Sequence, residues 1–345
     1  MENKRVTIKD IANRLNVSYG IINRALNNKP GISDEMRDKI LKTADELGYR
    51  INKVAQSMAR ATIVIGVVIP SYWTEYFSVL KDGMDNEFDR LLDYNVESKY
   101  YFISNSSSGR ETVSAIKQCI KDEVNGIILC DIFPSGLDKI FTELHKKNIP
   151  IVGFGNVSTM NSSFLCSVQV DCYRSGCMAA EMLNFMLPDD SDTIIFVGNK
   201  DNLEHNSKIK GFTDIANTYN NMTVIGVYET HDDEDIAIHL LKKIINQNSK
   251  INGIYCATSN SNSICKFIEE NSLDIKLICT DLNSQIAYYI KKGVVQCSVF
   301  HDLKAHGRTA VRVLYEYIAE HKKTDGTIYM TPILIIRSNL DAYLK

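Results

Sequence analysis

The sequence predicts an α/β protein with a small all-α N-terminal region and a larger body built on parallel sheets. Within residues 7–48, apolar residues recur at helical spacing in three short runs separated by turn residues. From residue 62, short continuous apolar runs alternate with longer helical patterns. Uninterrupted apolar runs are typical of strands covered on both faces, so we expect parallel sheets flanked by helices.

The N-terminal region predicts a helix-turn-helix motif. Residues 7–15 and 18–26 each have one apolar face, and Ser18 is placed to cap the second helix. A third helix is predicted from the cap at Ser33 to a stop at Gly48. The second helix leaves a set of positions free to contact DNA: Tyr19, Gly20, Asn23, Arg24 and Asn27.

Charge is distributed unevenly along the chain. Residues 1–60 carry 12 lysines and arginines against 7 acids, whereas residues 61–345 carry 27 against 35. A basic N-terminal region can meet DNA phosphates, and an acidic body is repelled by them. We therefore expect only the N-terminal region to bind DNA.

The cysteines and the N-terminus predict a cytoplasmic location. The chain has nine cysteines, none in a C-x-x-C pair, and several lie in apolar strand runs, which fits a reducing compartment better than a disulfide framework. The first residues contain no apolar signal-peptide region, and no stretch of about 18 apolar residues occurs.

Nine strands are predicted in the body, and no catalytic or cofactor motif accompanies them. The chain lacks G-x-G-x-x-G, a phosphate-binding P-loop and H-E-x-x-H, and its seven histidines are scattered. We therefore predict no enzyme, no cofactor and no metal. The strand candidates are residues 62–70, 98–104, 126–130, 150–154, 193–199, 223–229, 253–257, 276–280 and 296–300.

Candidate ligand residues follow the strands, because open α/β sheets bind ligands at the carboxyl ends of their strands. After the first strand, Tyr72, Trp73 and Phe77 could stack on a ring, although Phe77 also fits a core position. Polar side chains suited to a polyhydroxyl ligand follow the later strands. They are Asp131, Asp171, Asn202, Lys208, Thr258, Asp281 and His301.

The run from Val6 to Ala59 resembles the DNA-binding headpiece of the lac repressor (LacI/GalR) family. The turn, the caps, the NNKPGIS link and the ELGYRIN tail occur in the family's order. The resemblance implies a headpiece over 1–51, a hinge helix over 52–61 and a two-lobed, periplasmic-binding-protein-like body over 62–345. It divides that body into a first lobe of about 62–165 plus 299–325 and a second of about 166–298 plus 326–345.

The resemblance also implies roles in DNA binding. It assigns base contacts to Tyr19, Gly20 and Arg24. Since Gly20 has no side chain, we expect Tyr19, Asn23 and Arg24 to read bases, with Arg24 on guanine. Thr7, Ser18 and Asn27 are expected at phosphates. In the hinge, Asn52 caps a short helix that contains Ala55, and Met58 takes the place of the family's minor-groove leucine wedge.

In the body, the blocks VQVDCYRSGCMAAEML, HNSKIKGF and ICTDLN resemble the family's effector-binding blocks. They imply effector contacts for Asp171 and Asp281. Lys208 stands where the family has an arginine, so it lacks the guanidinium fork that grips two hydroxyls at once. His301 stands where a glutamine is more usual.

The predicted function is a dimeric, sequence-specific repressor whose affinity for operator DNA is controlled by a small molecule, expected to be a sugar, in the cleft between the lobes. The chain shows no leucine heptads after its last strand, which favours a dimer over a tetramer. The alternative is a corepressor-dependent repressor or an activator that responds to a non-sugar ligand such as a purine. No membrane partner is expected.

Overall fold

The computed structural model describes residues 6–26, 29–49, 61–71, 74–104, 109–130, 137–154, 164–247, 250–258, 261–324 and 326–344. The chain divides into two compact units. The first, the headpiece, spans residues 1–62 and includes 93–95; the second, the body, comprises 63–92 and 96–345. Across the described residues, no helix is long and apolar enough to cross a membrane.

In its described residues, the headpiece has three helices around one small core. The helices are α1 (Ile8–Leu15), α2 (Tyr19–Leu26) and α3 (Asp34–Glu46). Each contributes one isoleucine with no solvent exposure: Ile11, Ile22 and Ile40. The predicted helix-turn-helix is thus confirmed, and burial of apolar faces holds together helices too short to be stable alone.

The first sheet of the body is parallel and has six strands in the order β11-β5-β4-β3-β1-β2. Helices cover both faces. The strands are β1 (Ile63–Pro70), β2 (Val96–Ile103), β3 (Gly126–Cys130), β4 (Ile151–Phe154), β5 (Cys166–Val170) and β11 (Thr327–Met330). The helices are α4 (Thr74–Leu91), α5 (Arg110–Lys121), α6 (Asp138–Lys146) and α12 (Leu303–Glu320).

The second sheet has the order β12-β10-β9-β8-β6-β7, with only its edge strand β12 antiparallel. Helices again pack on both faces. The strands are β6 (Ser191–Val197), β7 (Met222–Glu229), β8 (Ile251–Cys256), β9 (Lys276–Thr280), β10 (Val295–Phe300) and β12 (Ile333–Ile335). The helices are α7 (Cys172–Asn184), α8 (Leu203–Ala216), α9 (Glu234–Gln247), α10 (Ser261–Glu270) and α11 (Ser284–Lys292).

The expected two-lobed body with parallel sheets is therefore present, but the lobe boundaries need correction. Residues 166–170 and 327–330 were assigned to the second lobe, whereas β5 and β11 pair with each other in the first sheet. The chain changes lobes at three places, which we call the crossovers. They are Asp171 between β5 and α7, residues 301–302 between β10 and α12, and residues 331–332 between β11 and β12.

Each lobe has one pair of helices whose backbones touch at glycines. In the first lobe, a Cβ on Gly83 would lie 2.2 Å from the Lys304 carbonyl oxygen, and one on Gly307 would lie 2.3 Å from that of Leu80. In the second lobe, Gly176 faces the Lys208 carbonyl and Gly211 faces that of Tyr173, both at 2.0 Å from the added Cβ. These contacts fix α4 to α12 and α7 to α8, because no side chain fits between the backbones.

Candidate DNA-binding and effector sites

The headpiece presents a polar face along α2. Tyr19 is 54% exposed, and Gly20, Asn23 and Arg24 are exposed as well. Gly31, at a φ of +89°, lies beside the Arg24 guanidinium. The predicted base-reading side chains therefore lie on one accessible helix face, as a helix that enters a major groove requires.

Two of the predicted phosphate contacts, Thr7 and Ser18, lie at the starts of helices. Asp10 accepts hydrogen bonds from both the Thr7 backbone N–H and the Thr7 hydroxyl, each at 2.7 Å, which fixes the start of α1. Ser18 is exposed just before α2. The remaining predicted contacts, Asn27, Asn52, Ala55 and Met58, lie outside the described residues.

In the body, Asp281 is held at the carboxyl end of β9 in a left-handed backbone conformation, with a φ of +68°. Its N–H donates to the Val299 carbonyl at 3.2 Å, and its carbonyl accepts a hydrogen bond from the Ser298 hydroxyl. Left-handed conformations at residues other than glycine cost free energy and persist where the surroundings impose them, often at functional sites.

The Asp281 carboxylate is open to solvent. Its side chain is 63% exposed, although protein groups crowd it closely enough to affect its ionisation. Burial raises its pKa, but the facing His301 imidazole and the positive charge of Lys208 outweigh this effect and hold the pKa below the usual value. Asp281 is thus ready to accept hydrogen bonds as a carboxylate.

Lys208 lies on α8, where the residue is only 7% exposed. Among the described residues, no hydrogen-bond or ion-pair partner lies within bonding distance of its ammonium group. Its charge acts on Asp281, on His205 and on the Cys172 thiol. Lys208 is therefore the buried cation best placed to bind a polar ligand group in the second lobe.

His301 occupies the second crossover and is 7% exposed. Its Nδ1 lies 3.7 Å from Asp281 Oδ1, and its Nε2 lies 2.9 Å from the Ser175 hydroxyl oxygen. The order serine, histidine, aspartate matches that of a hydrolase triad. Ser175, however, has no solvent exposure, so no substrate reaches its hydroxyl.

Asp171 caps α7, and its carboxylate accepts hydrogen bonds from the Arg174 backbone N–H at 2.9 Å and from Arg174 Nε at 3.0 Å. The charges of Asp171, Asp281 and Lys208 all act on the Cys172 thiol, whose pKa burial raises to about 12. The structure thus brings Asp171, Asp281, Lys208 and His301 together.

Two other predicted ligand residues have local partners. The Asn202 side chain caps α8 by accepting from the backbone N–H groups of Glu204, at 2.8 Å, and His205, at 3.3 Å. The Thr258 hydroxyl hydrogen-bonds to the Asp232 carboxylate. These bonds shape the strand ends around the acid and lysine cluster.

The first lobe contributes aromatic rings. Phe77 is 5% exposed, so its side chain belongs to the core, and Tyr76 packs edge-on against it with ring centroids 5.2 Å apart. Desolvation raises the Tyr76 pKa, and the negative charges of Glu204 and Asp281, both in the second lobe, add to the effect. Tyr76 is therefore within electrostatic reach of two acids of the second lobe, and its ring centroid lies 6.5 Å from that of Phe154 in the first lobe.

Sequence reasoning did not select Tyr76 as a ligand residue, although its place one turn into the helix after β1 was visible in the chain. Tyr72, Trp73 and Asp131 lie outside the described residues. Among the described residues, no three histidine, cysteine or acidic side chains lie close enough together to hold a metal ion.

Comparison with known proteins matches both units. Residues 7–52 match the model of bacterial regulatory proteins of the lacI family, and residues 65–323 match a periplasmic binding protein domain. Catabolite control protein A of Priestia megaterium is 26% identical over 341 residues, covering 95% of this chain and 96% of that protein. The protein of the same name from Streptococcus mutans is 30% identical over 193 residues, 56% of this chain and 54% of that one.

Solved structures share the fold of the body. The arabinose-binding protein AraP from Geobacillus stearothermophilus has a TM-score of 0.69 at 19% identity, covering 82% of this chain and 100% of that one. A putative LacI transcriptional regulator from Bacteroides fragilis has a TM-score of 0.65 at 17% identity, covering 82% and 99%. The chain joins this body to a helix-turn-helix headpiece and belongs to the lacI family of bacterial DNA-binding transcriptional regulators, which are not enzymes.

Proposed function

We propose that the protein is a cytoplasmic, dimeric repressor whose affinity for operator DNA is set by a sugar or sugar derivative bound in the cleft between the lobes. The observation that carries the proposal is the convergence of Asp281, Lys208 and His301 at the carboxyl ends of the strands, opposite Tyr76. An aromatic ring facing charged hydrogen-bonding groups suits a ring-shaped polyhydroxyl compound.

On the DNA side, Tyr19, Asn23 and Arg24 read bases in the major groove. Their exposure on one face of α2 supports this role. Gly20 lets the helix approach the groove closely. Thr7, Ser18 and Asn27 contact phosphates, while the segment with Asn52, Ala55 and Met58 pairs with its counterpart in a second copy and enters the minor groove.

On the effector side, Asp171, Asp281, Lys208 and His301 form the polar wall, and Asn202 and Thr258 border it. Tyr72, Trp73 and Asp131, which follow strands of the first lobe in the sequence, complete the site on the other side, and the buried Phe77 supports Tyr76 from the core. Binding changes the angle between the lobes and so the pairing of the two hinge segments, which couples effector and DNA reciprocally.

The effector half is tested by a thermal-shift screen of the full chain against D-glucose, D-arabinose, myo-inositol, their phosphates, and the purines hypoxanthine and guanine. A compound that binds only the folded state must raise the melting temperature. We expect a sugar to bind, and we expect Asp281→Asn and Lys208→Met each to lower the affinity for that sugar at least tenfold. A purine hit supports the corepressor alternative, in which Tyr76 stacks on the base.

The DNA half is tested by selecting bound sequences from a random double-stranded DNA library. The chain is then titrated against the selected sequence, with and without the compound found by the thermal-shift screen. Arg24→Ala should weaken binding about 5- to 150-fold, as expected for the loss of one bidentate base contact, and should relax preference at one base pair. The matched control is Arg14→Ala on α1. A sugar that weakens the binding of DNA supports an inducible repressor. Equal losses of DNA affinity in Arg24→Ala and Arg14→Ala contradict the proposal that the exposed face of α2 reads the bases.

A further inference from the structure

The three crossovers are joined by hydrogen bonds, and an ion-pair contact of 3.7 Å connects them to Asp281, the proposed ligand-binding acid. His301 lies in the second crossover and faces Asp281 through Nδ1 and Ser175 through Nε2. The Ser175 hydroxyl is also 2.9 Å from the carbonyl oxygen of Asp171 in the first crossover. The Asp171 N–H in turn donates, at 3.3 Å, to the carbonyl of Met330, the residue just before the third crossover.

The Ser175 hydroxyl has one hydrogen and two acceptors within reach. It can donate to His301 Nε2 or to the Asp171 carbonyl, but not fully to both. The choice is tied to the imidazole, because the ring nitrogen that carries the proton is set by what the other nitrogen meets. A carboxylate facing Nδ1 favours a proton there, which leaves Nε2 to accept from Ser175.

When the Asp281 carboxylate turns to ligand hydroxyls, its hold on the Nδ1 proton weakens. One proton leaves Nδ1 for solvent, and one from solvent reaches Nε2 when the contact with the buried Ser175 opens locally, so the ring changes tautomer without changing charge. Nε2 now donates to Ser175, and the Ser175 hydroxyl turns to the Asp171 carbonyl. No heavy atom needs to move far, since both acceptors already lie at 2.9 Å.

We propose that His301 is a positioning residue that reports ligand engagement of Asp281 to the crossovers by exchanging tautomers, which redirects the Ser175 hydroxyl from His301 to the Asp171 carbonyl. This relay rests on the proposed effector site and adds a mechanism for its regulation. It makes the lobe connections sensitive to whether the carboxylate is occupied, without requiring His301 to touch the ligand.

Other charged groups near His301 do not share this geometry. Asp302 caps α12 by accepting from the Ala305 N–H at 2.9 Å and lies 3.5 Å from Arg308. Lys208 and His205 act on Asp281 from α8 by their charge. Only Asp281, among the described acids, has an ion-pair contact with the His301 ring.

The test is histidine-selective ¹⁵N NMR of the full chain at pH 7.5, in which the two imidazole tautomers have distinct nitrogen shifts. His301→Gln identifies the His301 signals by their loss. We expect the Nδ1–H tautomer in the wild-type chain and the Nε2–H tautomer in Asp281→Asn. Asparagine tolerates the left-handed conformation at this position, so the variant keeps the local backbone.

Glu204→Gln is the matched control, because it removes another cleft acid that does not contact His301. It should leave the Nδ1–H tautomer in place. The relay is wrong if Asp281→Asn keeps the wild-type tautomer, or if Glu204→Gln also changes it. A sugar found by the thermal-shift screen should reproduce the exchange in the wild-type chain.

These results separate the relay from the proposed function. A sugar that binds without changing the tautomer overturns the relay and leaves the effector proposal standing. A screen without any hit contradicts the effector proposal, whereas the ligand-free comparison of the wild-type chain with Asp281→Asn still decides the relay.

Discussion

The first and second lobes share strand order and glycine contacts, but they contribute different groups to the cleft. In the first lobe, α4 is fixed to α12 and carries the aromatic Tyr76. In the second lobe, α8 is fixed to α7 and carries Lys208, whose own carbonyl faces Gly176. The comparison separates what the fold needs, a close helix pair in each lobe, from the side chains proposed to bind the ligand, which differ between the lobes.

The largest expected effect comes from filling the glycine contacts. Gly83→Ala and Gly176→Ala each place a Cβ against backbone, so each should lower the free energy of unfolding by about 3 kcal/mol, measured by urea denaturation. Only Gly176→Ala displaces the helical turn that holds Lys208, so ligand binding should suffer more in that variant than in Gly83→Ala.

The control for both variants is Gly20→Ala on the headpiece, where the nearest atom to the added Cβ is 3.9 Å away. Alanine there should stabilise α2 by about 1 kcal/mol. If all three substitutions have the same effect, the close packing of the helix pairs is not what makes these glycines necessary.

The second expected effect concerns a buried ion pair that the first lobe has between α4 and α12. Glu87, 4% exposed, receives hydrogen bonds from Arg312 Nε at 2.9 Å and from a terminal guanidinium nitrogen at 3.0 Å. Arg312→Leu leaves the carboxylate buried, with only the exposed Arg90 at 3.8 Å. Since Arg312 is itself half-exposed, we expect a loss of about 2 kcal/mol by urea denaturation rather than the full cost of a buried pair.

Replacing both partners tests that explanation. The double variant Glu87→Leu/Arg312→Leu should recover much of the lost stability, because no unpaired charge remains. A double variant less stable than Arg312→Leu alone would show that the carboxylate stabilises the lobe through contacts other than this pair.

The third effect separates capping from ligand binding within the second lobe. Asn202 caps α8 and Asn283 caps α11, each through a side chain that accepts from two backbone N–H groups. Asn202→Ala and Asn283→Ala should each lower stability by about 1 kcal/mol in thermal or urea unfolding. Because α8 carries Lys208, only Asn202→Ala should also lower the affinity for the ligand found by the screen. Equal losses of ligand affinity in Asn202→Ala and Asn283→Ala would contradict this prediction.

The smallest effect is a pH dependence in the first lobe. His306 is 2% exposed, and burial lowers its pKa. The unfolded chain, with an ordinary histidine pKa of about 6.5, therefore binds a proton before the folded chain does as pH falls. This histidine thus makes the protein less stable from pH 7 to pH 5, and His306→Leu should flatten that decline in urea unfolding. The exposed His239→Leu is the control and should leave the slope unchanged.

The sequence predicted the strands whose burial is continuous and missed those defined by distant pairing. The runs in β1, β3 and β9 are buried along almost their whole length, which is why composition alone revealed them. By contrast, β11 has no fully buried residue, and β5 lies beside it only because segments 160 residues apart meet. The lobe boundaries depended on that pairing and were therefore placed too early.

The same distinction applies to the site. Strand-end logic pointed to Asp281 and His301 separately, because each follows a clear apolar run. That they face each other depends on the pairing of β9 with β10, and the Ser175 contact depends on the packing of α7. His306 gave no signal at all, since one histidine within a helical pattern looks like any other polar residue.

The headpiece core has a consequence for how such proteins can diversify. Ile11, Ile22 and Ile40 bury one another within residues 8–46, and every residue of the core around them belongs to the headpiece itself. A segment with a self-contained interior can be exchanged between related chains as a cassette. New DNA targets can therefore be acquired by recombination at the headpiece, while the chemical signal to which the body responds is inherited unchanged.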